Sequence, residues 1–81
     1  MTVTTVRFFA AARAAVGVDE VALDAVVLDE ALRAVDAADP ERWVALQERC
    51  SYLVDGVTTR DRSTSLAGVT VVDVMPPFAG G

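Results

Sequence analysis

The chain has 81 residues, room for a single domain, and 53% of them are apolar, which argues for a packed core and against disorder. Its formal net charge is −5, and its seven basic residues (Arg7, Arg13, Arg33, Arg42, Arg49, Arg60 and Arg62) are spread along the chain without forming a stripe, so nucleic acid is not an expected partner. An acidic surface either suits a partner with basic grooves or is simply a solvated face.

Residues 2–9, TVTTVRFF, are β-branched and aromatic, and strand is their natural conformation. Alternation puts Val6 and Phe8 on one face and Arg7 and Phe9 on the other. Ala10–Val16 is built of strong helix formers and stops at Gly17, a plausible C-cap. Val18–Leu23 predicts a second strand that can form a hairpin with the first. Leu28–Ala38 carries Leu28, Ala31, Leu32 and Val35 on one helical stripe, with Asp29 and Glu30 at the positive end of the helix dipole. Asp39-Pro40 predicts a new helix, Asp as N-cap and Pro at the first position. Trp43, Leu46 and Cys50 are then expected on one face of it.

Ser51–Val54 and Val57–Arg60 predict two strands joined by an Asp55-Gly56 turn, and Asp61–Ser65 a polar loop. Val69–Met75 is the strongest strand signal, stopped by Pro76-Pro77, neither of which can donate to a sheet ladder. Strands, helix, then strands predict an α+β domain of β-grasp type, with a mixed four- to five-stranded sheet packed on a central helix. Its terminal strands are expected to pair in parallel at the sheet centre. The domain is expected to cover residues 1–75, leaving residues 76–81 as a flexible C-terminal Gly-Gly tail.

That tail reads Pro76-Pro77-Phe78-Ala79-Gly80-Gly81. The prolines stiffen its exit from the strand, and the two glycines clear side chains from the neighbourhood of the terminal carboxylate. Six residues span roughly 20 Å when extended, enough to thread a narrow channel. Other chemistry is scarce. The chain has no lysine and no histidine, which closes Schiff-base chemistry and removes the commonest general base and metal ligand. Cys50 is the only cysteine, so no intrachain disulfide and no multi-thiolate metal site is expected. A persulfide on Cys50 is rejected, because an apolar stripe favours a buried, inert thiol. Trp43 is read as core or near-core, and Asp55-Gly56 as a turn rather than a metal site. No apolar run approaches a membrane span and the N-terminus does not read as a signal peptide, so a cytoplasmic protein is expected.

PPFAGG after a valine-rich strand, FFAAARAAVG near the start and LVDG in the middle together resemble the small subunits of molybdopterin synthase. The similarity spans nearly the whole chain, with Phe8-Phe9, Arg42-Trp43 and Pro76 to Gly81 as its landmarks. Thiamine-pathway carriers are similar in the double glycine, but are typically shorter and lack the Pro-Pro segment. The resemblance implies a ubiquitin-like sulfur carrier that holds no cofactor or metal and is not catalytic alone. An adenylyltransferase similar to ubiquitin-activating enzymes would use ATP to adenylate the Gly81 carboxylate, and a sulfur donor enzyme would convert it to a thiocarboxylate. Insertion into the large synthase subunit, in a heterotetramer, would then deliver sulfur to a pyranopterin precursor.

In that scheme Gly81 carries the reacting group and Gly80 gives access. Phe9, Met75, Pro76, Pro77, Phe78 and Ala79 are the expected partner-binding residues. Phe78 either anchors in a partner groove or folds back on its own domain; Phe9 and Met75 either form an apolar docking patch or belong to the core. Two other readings stay open. One is a carrier for thiamine, cysteine or tRNA thiolation or a ubiquitin-like modifier, and the other is a β-grasp interaction module whose terminal glycines are incidental.

Overall fold

The computed structural model describes residues 3–77. Its elements run β1 (Thr4–Phe8), α1 (Ala10–Val16), β2 (Glu20–Leu23), α2 (Leu28–Ala34), α3 (Pro40–Gln47), β3 (Ser51–Val54), β4 (Val57–Thr59) and β5 (Val71–Met75). The strands form one five-stranded sheet in the order β2-β1-β5-β3-β4. β1 and β5 are the parallel pair at its centre, in register from Thr5↔Val71 to Phe8↔Val74. All other pairings are antiparallel. This is the α+β β-grasp architecture expected from the order of elements, with a mixed sheet.

One face of the sheet carries the core. Val6, Phe8, Tyr52, Val54, Val72 and Val74 point into it and meet Ala12, Ala15 and Val16 of α1, Leu28, Ala31 and Leu32 of α2, and Trp43 of α3. Phe8 and Trp43 pack edge to face with ring centroids 5.5 Å apart, a geometry the ring quadrupoles favour. The polar tips of the two largest core rings are satisfied. Trp43 Nε1–H donates to the Leu32 carbonyl at 3.1 Å, and Tyr52 O–H donates to the Gln47 carbonyl at 2.7 Å.

Several boundaries differ from the sequence expectation, each for a visible reason. β1 stops at Phe8 because Phe9 is the N-cap residue of α1. β2 begins at Glu20, two residues late, after the bend that follows Gly17. The helix expected over residues 28–38 ends at Ala34, where Val35 turns extended with φ −68° and ψ 126°. Beyond it, Ala38 N–H and Asp39 N–H donate to the carbonyls of Val16 and Ala15. The linker thus satisfies acceptors at the end of α1 that a longer α2 would leave bare.

Cys50 is not on the α3 stripe. The helix ends at Gln47, and Cys50 sits just before β3, 2% exposed. β4 is one residue shorter than expected, ending at Thr59. β5 starts at Val71 rather than Val69, where Thr70 N–H and Val71 N–H donate to the Asp55 carboxylate. Other local signals match their elements. Gly17 caps α1 at φ +94°, Asp39 accepts from Arg42 N–H as N-cap of α3, and Asp55-Gly56 turns with φ +47° and +87°. Two positive φ values in a two-residue loop suit the twist of a tight hairpin.

Candidate functional site

The site lies where β1 and β5 end side by side. Because the two strands are parallel, both deliver their C-terminal ends to one edge of the sheet, and β3 begins there with Ser51 paired to Met75. Phe8 turns into the core at 2% exposure, whereas Phe9 faces outward at 39%. Phe9 keeps extended backbone, φ −125° and ψ 151°, so strand alternation carries through it to the open face of the sheet. One step beyond the Phe8↔Val74 pair, it falls beside Met75, which is half-buried. Pro76 is buried and Pro77 exposed. The sequence-predicted residues Phe9, Met75, Pro76 and Pro77 therefore come together at one edge. Phe78, Ala79, Gly80 and Gly81 lie outside the described residues.

The open face has a charged row that sequence reading did not single out. Glu20, Arg7, Asp73 and Leu53 are successive partners across β2, β1, β5 and β3. Arg7 binds Asp73 with both prongs of its fork, Nε donating to Oδ1 at 2.5 Å and Nη2 to Oδ2 at 2.9 Å. This hydrogen-bonded carboxylate raises the Arg7 pKa further. The guanidinium carbon also sits 5.8 Å from the centre of the Phe9 ring, within cation–π range. A depression of about 260 Å³, lined by Arg7, Phe9, Ala10, Arg13 and Asp19 among others, flanks the ring. The sequence signal was parity: Arg7 and Phe9 share one face of β1, and Asp73 and Met75 share one face of β5. Their juxtaposition needs the parallel register, a relation across 66 positions.

Cys50 is distant from this chemistry in character. Burial pushes its thiol up to about 11, against the opposing influence of Arg60, so it is not a thiolate at neutral pH. Among the described residues, no group of three or more His, Cys, Asp or Glu side chains is placed to hold a metal ion. No helix there is long and apolar enough to cross a membrane. A larger groove, about 640 Å³, lies in the helical layer between α2 and α3, with Leu32, Trp43, Val44 and Arg62 in its lining.

The fold matches the crystal structure of SAMP1 from Haloferax volcanii with a TM-score of 0.74 over 99% of this chain and 100% of that one, at 18% identity. No curated protein sequence matches the chain. The ThiS family model matches residues 6–81, from the middle of β1 through the double glycine. The chain therefore belongs to the ThiS family of small ubiquitin-like sulfur carriers.

Proposed function

We propose that the chain is the sulfur-carrying subunit of a molybdopterin synthase, working through Gly81 at the tip of a tail that leaves β5 at Pro76. ThiS-family carriers bear a C-terminal thiocarboxylate, and the family implies an E1-like activating enzyme as partner. The observation that carries the reading is the sequence Pro76-Pro77-Phe78-Ala79-Gly80-Gly81 directly following β5, whose end lies beside the exposed Phe9. A carboxylate is a poor electrophile, and the mixed anhydride formed when it attacks the α-phosphorus of ATP and expels pyrophosphate corrects that. Sulfide-level sulfur then attacks the carbonyl carbon, AMP leaves and the S–H proton is lost to solvent. Where the donor is an enzyme persulfide, the acyl disulfide first formed is cleaved by a second thiol, which leaves as a mixed disulfide with the donor enzyme. The resulting thiocarboxylate is a good sulfur nucleophile toward a pyranopterin precursor bound in the large synthase subunit. The domain, residues 1–75, supplies the docking surface, with Phe9 and Met75 as apolar anchors and Pro76 to Ala79 as the path into the partner.

Incubation with ATP, an E1-like enzyme and a sulfur source should add to the intact mass the difference of one sulfur-for-oxygen exchange at Gly81. Deletion of Gly81, or one residue added after it, should abolish that gain. The loaded chain, mixed with a molybdopterin synthase large subunit and the precursor, should yield the dithiolene product. Consumption of the thiocarboxylate only by a thiazole-forming or other thiolation system would replace this pathway with another; the match to the ThiS family favours that as the second reading. A chain that never gains sulfur would leave the interaction-module reading in its place.

A further inference from the structure

Arg7 is the only charged residue of β1 and stands in the middle of the open face, between Glu20 on β2 and Asp73 on β5. Its side chain is 46% exposed, and ion pairs in such positions contribute little to stability. A bidentate fork nonetheless fixes direction: with both prongs on Asp73, the guanidinium plane is set, and it lies over the Phe9 ring. Phe9 has no core to hold it, and an exposed ring loses rotamer freedom when it docks, a cost that prior ordering reduces. Asp73 is two residues before Met75 on the strand that leads to Pro76. One guanidinium therefore links the aromatic anchor to the strand that carries the tail.

We propose that Arg7 is a positioning residue for docking of the activating enzyme, holding the Phe9 ring on the open face in fixed relation to β5, so that anchor and tail reach the enzyme together. The partner surface it fits is an apolar recess for Phe9 and Met75 next to the channel that receives the tail. This rests on the sulfur-carrier reading and not on the choice of pathway. Arg7 itself touches neither the carboxylate nor ATP.

The test measures adenylation by the E1-like enzyme that activates the wild-type chain, with the carrier as varied substrate, beside melting temperature. Arg7→Leu should raise KM about tenfold with kcat held within about twofold, and melt close to wild type. The exchanged pair Arg7→Asp with Asp73→Arg restores a cross-strand ion pair but moves the cation from β1 to β5, away from its place two residues before Phe9 on the same strand line; its KM should stay raised. Should Arg7→Leu melt early, Arg7→Gln makes the same comparison with a polar side chain. An unchanged KM in the Arg7 variants overturns the proposal. So does a wild-type KM in the exchanged pair, which would mean that the ion pair only ties β1 to β5. Absence of any adenylation of the wild-type chain would remove the carrier reading and this inference together, an outcome distinct from the other two.

Discussion

Phe8 is 2% exposed and meets Trp43 edge-on, while Phe9, the next residue, stands on the open face beneath the Arg7 guanidinium. Their energetic roles should separate as cleanly as their positions. Phe8→Ala opens a cavity in a thin core and should cost about 3–5 kcal/mol, a large part of the total stability of a domain this size. Phe9→Ala removes an exposed ring and should change stability by less than about 0.5 kcal/mol, while weakening association with the activating enzyme. Urea denaturation of the two variants beside an equilibrium binding measurement checks both halves. Equal stability losses would show that Phe9 is core rather than anchor. The two faces of β1 were legible from alternation alone. The setting of the Arg7 guanidinium over Phe9 was not, because Arg7 meets Asp73 only through the long-range register.

At the scale of elements, local signals marked the end of α1 and the starts of α2 and α3 well, and the end of α2 poorly. Gly17 and Asp39-Pro40 act on their own neighbours, so they can be read in place. The N-cap residue of α2 is Val27, which offers no side-chain acceptor. Its first donors are satisfied from elsewhere: Leu28 N–H and Asp29 N–H donate to the carbonyls of Thr64 and Arg62, and the Asp29 carboxylate meets Arg62 Nη2 at 2.6 Å. The loop between β4 and β5 thus does the work of a cap. Gly17 also has a tertiary reason. Its φ of +94° excludes an ordinary side chain, and an added Cβ would lie 3.1 Å from the Ala38 Cβ. Gly17→Ala should therefore destabilise by roughly 1–2 kcal/mol, read as a lower denaturation midpoint with unchanged slope. A neutral result would mean that residue 17 leaves the left-handed region and the linker after α2 moves aside, both at little cost.

Across the whole molecule, two buried ionisable side chains set an alkaline limit to stability. Burial raises Cys50 from 9.0 to about 11 and raises Tyr52 as well, with its neighbour Cys50 adding to the effect. A group whose folded pKa is raised holds its proton longer when folded. The unfolded chain ionises first, so stability is full below about pH 9 and falls as pH climbs toward 11. Melting temperature should accordingly be flat near neutrality and decline above pH 9, and Cys50→Ala should soften the early part of that decline. An unaltered profile in Cys50→Ala would place the alkaline sensitivity elsewhere. Sulfur loading at Gly81 should be the same in that variant, since a buried protonated thiol has no part in the transfer.

Periodicity, caps and turn residues are local quantities, and they were enough to predict the strands and the order of elements. Parallel pairing of the terminal strands followed as an expectation of the fold. Which side chains that pairing joins was decided only by the folded sheet, because the meeting of Arg7 with Asp73 depends on the register of β1 against β5. The same holds for Cys50, whose burial depends on where α3 stops rather than on a helical stripe. A chain carries its hydrogen-bonding grammar along its length, but distant groups become neighbours only when burial of the common core selects one arrangement.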